Sequence, residues 1–180
     1  MFDRFFITQQ PPYPLLWQQH DGWLVILSIL MSISASVMAL HMTVLARDAQ
    51  GRVTRQMAIL SGTLALGAGI WAMHFVAMLS FQLCVQGGFN LWITILSVIP
   101  SLCAAWVALN LLMQPKLSPL RLVGGGILVG AGVGAMHYIG MEAAAIAPLI
   151  RYDPWMFLGS IVVAVVLGIL ALWIRFGLQH

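Results

Sequence analysis

Charge is what this sequence has least of. Only 7% of its 180 residues are Asp, Glu, Lys or Arg, against 61% hydrophobic, which is too little polar surface to cover a soluble domain of this size. Acid is scarcer than base: five Asp and Glu against eight Lys and Arg give a formal net charge of +3. The basic residues are scattered over short connections, however, and form no stripe that would suit nucleic acid. Cysteine is nearly absent. Cys84 and Cys103 fall in no CxxC or paired framework and Cys103 lies inside an apolar run, so both are read as small apolar fillers and not as a disulfide. The opening "MFDRFFITQQPPYPLLWQQHDGW" lacks the basic leader, apolar core and small-residue cleavage site of a secretory signal. Its aromatics and prolines mark residues 1–22 as an interfacial segment. No Ser/His/Asp or Cys/His constellation occurs, and "GGG" at Gly124 to Gly126 comes without the Lys and Ser/Thr that a phosphate loop requires. The chain is therefore expected not to be an enzyme.

What the sequence has is length of apolar run. A spanning helix needs about 20 apolar residues, and five stretches qualify: Trp23 to Ala46, Met57 to Phe81, Leu91 to Met113, Leu120 to Ala147 and Trp155 to Ile174. The predicted fold is an all-α, polytopic transmembrane bundle of about five spans occupying residues 23–180. Arg47, Arg52, Arg55, Lys116, Arg121 and Arg175 fall on one side of these spans, and only Arg4 and Arg151 on the other. Basic residues favour the cytoplasmic side, so the N-terminus is predicted outside and the C-terminus in the cytoplasm, with Trp17, Trp23, Trp92, Tyr152 and Trp155 as outer-interface anchors.

Sliding the chain by 63 residues superposes the second span on the fourth. Gly67, Ala68, Gly69, Ala72, Met73, His74 and Met78 fall on Gly130, Ala131, Gly132, Ala135, Met136, His137 and Met141, and Gly62 meets Gly125. Both copies run the same way across the membrane, so this is a parallel repeat and the two histidines share one depth. At ~1.5 Å per residue, His74 lies about 25 Å from the start of its span, in the outer part of the hydrocarbon. Residues four apart share a helix face, so His74 with Met78, and His137 with Met141, each present imidazole and thioether to a common point. Met73 and Met136 lie about 100° round from the histidines and either join that point or pack beside it. Gly67, Gly69, Gly130 and Gly132 are expected to let the two helices approach closely.

Soft thioethers with imidazoles, and no accompanying carboxylate or thiolate cluster, indicate copper as the metal. Two histidines at one depth would also serve a bis-imidazole haem, as in a membrane electron carrier, which stays open as the alternative. A transporter or channel is a further alternative, with the repeat and Glu142 in its favour. Tyr138, Glu142 and His20 are accessory candidates: Tyr138 as a hydrogen-bond donor, Glu142 as a partner orienting an imidazole, and His20 as an extra ligand folding over from the outer side. His41 ends near the opposite face, more than ~20 Å away, and cannot share this site.

"AMHYIGM" at Ala135 to Met141, echoed by "AMHFVAM" at Ala72 to Met78, resembles the motif of the MHYT family of bacterial integral membrane sensor domains. The resemblance covers nearly all of the chain from Trp23. It implies copper held by the motif Met and His residues, sensing of a diatomic gas such as oxygen, carbon monoxide or nitric oxide, and signalling to a cytoplasmic output such as cyclic-di-GMP turnover. The positions that match are Met73, His74 and Met78, then Met136, His137, Tyr138 and Met141, with Phe75 where the family has tyrosine. Members typically carry three motif copies, so either a last motif-bearing hairpin and an output domain are missing, or the chain is a short variant working through partners. The expected partners are the lipid bilayer, the gas, an output domain in cis or trans and a second copy in a homodimer, with the bacterial inner membrane as the location.

Overall fold

The computed structural model describes residues 19–82, 88–144 and 152–177. Six helices, α1 (Gly22–Asp48), α2 (Arg52–Leu79), α3 (Leu91–Leu96), α4 (Val98–Leu112), α5 (Pro119–Glu142) and α6 (Pro154–Gly177), make five segments long and apolar enough to cross a membrane. The third of these, Leu91–Leu112, is α3 and α4 separated at Ser97. Pro100 explains the interruption, because a proline inside a helix removes one backbone donor and crowds the carbonyl four residues before it. Large apolar side chains cover the outside of the described bundle, among them Ile33 (54% exposed), Val37 (61%) and Leu167 (58%). Such a surface calls for lipid and not water. The chain is a multi-pass membrane protein.

Helix starts are set by short polar side chains that accept from otherwise unbonded N–H groups. Asp21 accepts from the Trp23 amide at 2.9 Å, Asn90 from Trp92 and Ile93, Ser118 from Arg121, and Asp153 from Trp155 and Met156. Three of these caps share a pattern, Asp or Asn followed two residues later by Trp23, Trp92 or Trp155, each at least 80% exposed. They lie at one end of the bundle, the strand end, where β1 (Gln19–His20) pairs antiparallel with β2 (Phe81–Gln82) and the Asp21 amide donates to the Ser80 carbonyl at 2.8 Å. The opposite end carries Arg47, Arg52, Arg55, Lys116, Arg121 and Arg175. There the Arg47 guanidinium donates to the Leu112 carbonyl, closing α1 onto the end of α4.

α1 packs on α2 and α6 on α5, while α4 lies between α2 and α5. Three spans end earlier than the sequence suggests: the second at Leu79 and not Phe81, which belongs to β2, the third at Leu112 and not Met113, and the fourth by more. The fourth closes at Glu142 and not Ala147, because the Ala143 carbonyl accepts from Asn90 at 2.7 Å and Ala144 bridges to Phe89. Residues 145–147 lie outside the described residues, as do Cys84, Trp17 and all but the last four positions of the 1–22 segment. Cys103 is exposed on α4 and so fills no core.

The four motif glycines do mediate close packing, but not between α2 and α5. A Cβ on Gly67 would sit 2.9 Å from Leu102 Cα on α4, and one on Gly69 would sit 2.2 Å from Ala35 Cβ on α1. On Gly130 it would meet Val165 Cα of α6 at 2.6 Å, and on Gly132 Ala104 Cβ of α4 at 2.8 Å. The repeat nonetheless governs these contacts. Gly62 abuts Leu109 and Gly125 abuts Leu172; Gly67 abuts Leu102 and Gly130 abuts Val165. Each member of the first pair is 63 residues before its counterpart, so α2 on α4 and α5 on α6 are the same contact made twice.

Candidate functional site

In lipid, a polar side chain that lacks an internal partner is costly, so the buried hydroxyls indicate where polarity is merely structural. Those of Ser28, Thr43, Ser80, Ser97 and Ser101 all donate to carbonyls three or four residues earlier in their own helices. Two buried side-chain polar atoms in the described residues have no partner, Thr63 Oγ1 and His74 Nε2. His74 is 9% exposed, and its unbonded nitrogen faces Gly140, where an added Cβ would stand 2.8 Å away.

α2 and α5 run parallel, held apart by α4 over most of their length, and they meet at the histidines. The His74 and His137 rings lie edge to face with centroids 4.9 Å apart. The parallel repeat delivers both imidazoles to one depth, and the glycine at 140 allows them to converge. A cleft of about 270 Å³ opens beside them, lined by Ile70, Met73 and His74 of α2, Val133, Gly134, Met136, His137 and Tyr138 of α5, and Ser160, Ile161 and Ala164 of α6. His137 remains exposed toward it, while Met136 is 2% exposed.

The sulfur ranking expected from sequence changes at this point. Met73 and Met136 share the cleft with the two histidines, whereas Met78 and Met141 stand one turn nearer the strand end, half-buried and outside its lining. The cleft extends from the histidines toward the bundle middle, through Ile70, Val133 and Gly134. A residue one step before each histidine therefore faces it and a residue four steps after does not. No group of three or more His, Cys, Asp or Glu that would hold a metal occurs among the described residues, so any ion between the imidazoles depends on thioethers or on ligands from elsewhere.

Aromatic rings close the strand end above the histidines. Phe75 meets Phe89 edge to face at 5.7 Å, and Tyr138 meets Phe157 at 4.5 Å and Tyr152 at 5.4 Å. The Tyr138 hydroxyl lies 2.5 Å from Ser160 Oγ. Ser160 donates its single proton to the Phe157 carbonyl at 2.8 Å, so Tyr138 is the donor of the pair. Glu142 is exposed at the end of α5, on the side of this aromatic group. Burial first, then the Tyr138 and Glu142 charges, raise the Tyr152 phenol above its ordinary value. No hydrogen bond joins Glu142 to either imidazole among the described residues. His20 belongs to β1, where it pairs with Phe81, and does not line the cleft. Sequence reasoning missed Gly134, Gly140 and Ser160. A signal for Ser160 existed, since the 63-residue shift lays it on Ser97.

The family described as "Bacterial signalling protein N terminal repeat", MHYT, matches residues 67–125 and 130–180, one match for each copy of the motif. The chain belongs to the MHYT family. Among curated proteins it is 41% identical over 167 residues to the bifunctional diguanylate cyclase/cyclic di-GMP phosphodiesterase MucR of Pseudomonas aeruginosa, covering 92% of this chain and 24% of that protein. It is 30% identical over 159 residues to the signaling protein YkoW of Bacillus subtilis, covering 88% of this chain and 20% of the relative. With the cyclic di-GMP phosphodiesterase NbdA of P. aeruginosa it shares 35% identity over 104 residues, 58% of this chain and 13% of that one. The chain thus spans about a quarter or less of the length of these relatives. No solved structure gives a significant match.

Proposed function

We propose that this MHYT chain is the sensory input of a bacterial signalling protein in the cytoplasmic membrane, and that it holds copper between α2 and α5 near the outer face. The observation that carries this reading is the buried, unpartnered Nε2 of His74 beside His137. First-row metals take imidazole nitrogen at about 2.0–2.1 Å, so two rings sharing an ion must stand within a few ångströms of each other, as these do. Met73 and Met136 are the nearer soft donors, ahead of Met78 and Met141. Copper would supply a soft, redox-active centre able to take a diatomic gas, the proposed signal. A cleft of about 270 Å³ falls below the ~300–1,000 Å³ of ordinary ligand pockets and leaves little room for a porphyrin, which disfavours haem.

The residues of the chain itself prepare the site. Gly140 admits the His74 ring, Ser160 fixes the Tyr138 hydroxyl, and the aromatic layer shields the imidazoles from the strand end. The concentration of Arg and Lys at the opposite end supports a cytoplasmic location for that end. Two of the relatives carry cyclic-di-GMP activities in their names, and such turnover is the proposed output, in cis or in trans. Elemental analysis and an absorption spectrum of the detergent-purified chain, beside a His74→Ala/His137→Ala variant, test the reading. Near-stoichiometric copper that disappears in the variant is expected. A Soret band, or copper retained by the variant, would overturn it.

A further inference from the structure

Of the differences between the two copies of the repeat, one changes the size of a side chain at the cleft most. In the first copy the position is Trp71, and in the second, 63 residues on, it is Gly134. The Trp71 indole N–H donates to the Thr94 carbonyl and to Ser97 Oγ, both at 3.0 Å, and its ring leans on Phe75 with centroids 5.0 Å apart. Ser97 Oγ donates to the same Thr94 carbonyl at 2.7 Å.

Every partner of that indole is preserved in the second copy. Thr94 corresponds to Phe157, Ser97 to Ser160 and Phe75 to Tyr138. Ser160 Oγ donates to the Phe157 carbonyl at 2.8 Å, as Ser97 does to Thr94, and an aromatic ring again stands beside the pair at Tyr138. The indole is missing, and one lone pair of Ser160 Oγ accepts instead from the Tyr138 hydroxyl, a group that Phe75 does not have. A Cβ built on Gly134 would meet nothing within 4 Å, and Gly134, Tyr138 and Ser160 all line the cleft. The remaining walls, Val133, Ile161 and Ala164, are apolar, which is the usual make-up of a small-molecule pocket with a few convergent polar groups.

From the conserved carbonyl, hydroxyl and aromatic ring around an absent indole, we propose that the α5–α6 side of the cleft binds a free, planar aromatic molecule that partitions into the membrane. The ligand is about the size of indole and carries one N–H or O–H donor. Its donor is received by the Phe157 carbonyl and by the second lone pair of Ser160 Oγ, beside the bond from Tyr138, and its ring lies against Tyr138. Entry is from the lipid, since the cleft is open and Ser160 is exposed. The proposal goes beyond the copper reading and does not depend on it, because none of the three recognition groups is a proposed metal ligand.

The test uses the 180-residue chain, stripped of metal, in phosphatidylcholine nanodiscs dialysed to equilibrium against radiolabelled indole, with empty nanodiscs subtracted. One saturable site is expected. Indene, which has the shape of indole without its N–H, should compete about fivefold or more weakly, the factor that one hydrogen bond supplies. Gly134→Trp should remove the saturable component while keeping the helical circular dichroism and a monodisperse profile. Gly134→Leu serves as the blocking variant if the tryptophan variant misfolds. Absence of saturable binding overturns the proposal, as does binding that persists in a well-folded blocking variant. Equal competition by indene also overturns it, since that would make the cleft an unspecific apolar groove. Should both variants misfold, the ratio of indole to indene on the unaltered chain decides. Binding by a metal-free protein that never takes up copper would leave this proposal standing while the copper reading fell.

Discussion

Gly140→Ala is the smallest perturbation that reaches the histidine pair. The new Cβ would stand 2.8 Å from His74 Nε2, 3.1 Å from its Cδ2 and 3.4 Å from Phe75 Cζ. The first distance is well below van der Waals contact, so the imidazole must turn away, and a ring that is 9% exposed has little free volume to turn into. Overpacking of this kind costs about 1–3 kcal/mol, while Ala for Gly inside a helix returns up to about 1 kcal/mol. The net loss is therefore modest, about 0–2 kcal/mol, and the bundle should still fold. Displacement of His74 is the main result. Copper retained after dialysis should fall at least about tenfold, which corresponds to roughly 1.4 kcal/mol of lost affinity.

Gly134→Ala on the same helix is the matched control. Its Cβ meets nothing within 4 Å, so it should keep copper at the level of the unaltered chain. Metal content by elemental analysis, with reversible unfolding in mixed micelles followed by circular dichroism, reads both effects. If Gly140→Ala keeps its copper and its stability, then His74 does not stand where its ring has been placed and the reasoning from close contact fails.

Three further outcomes are expected. Gly130→Ala pushes a Cβ to within 2.6 Å of Val165 Cα, which is backbone and cannot swing aside, whereas Gly124 has open space. Mixed-micelle unfolding should show a loss of about 1–3 kcal/mol for the first and neutrality or a slight gain for Gly124→Ala. Trp71→Phe removes the N–H that joins α2 to the α3–α4 break at Thr94 and Ser97 and should cost about 1–2 kcal/mol in the same assay. An unchanged midpoint would mean that this bond contributes nothing. A C-terminal green fluorescent protein fusion should be fluorescent and an alkaline phosphatase fusion inactive, as the basic end requires; the reverse pattern would invert the proposed orientation.

The membrane class and the five spans are legible in the sequence because roughly 20 uninterrupted apolar residues have few other uses. The span ends are less so. They depend on individual caps such as Asp21 and Asn90 and, at Glu142, on a carbonyl after the helix that turns back to bond Asn90. The meeting of His74 with His137 follows from a parallel repeat, which fixes depth. Which helix each glycine approaches does not, since small residues announce close contact without naming the partner: Gly69 meets α1 and Gly130 meets α6. The methionine order was hidden for a similar reason. Helical spacing gives the face of Met78 relative to His74, but the cleft runs below the histidines and not above them, and that is set by the aromatic layer of Phe75, Phe89 and Tyr138.

A parallel duplication ordinarily produces two equivalent environments, and here the equivalence is maintained almost everywhere. The contacts of Gly62 and Gly67, the serine-to-carbonyl bond and the Met-His step all occur twice, 63 residues apart. Among the positions that depart from the pattern, the largest change in volume is Trp71 filling its socket and Gly134 leaving the counterpart open beside the cleft. Without the large ring, α5 and α6 do not collapse together, because they are already held a few residues below by backbone contacts of Gly126 and Gly130 with Ile169 and Val165. In lipid no hydrophobic pressure drives such a gap shut, since acyl chains solvate apolar walls as well as side chains do. The tight glycine crossing and the missing indole thus act together. One fixes how near the helices come, and the other ensures that at the level of His137 there is still room between them.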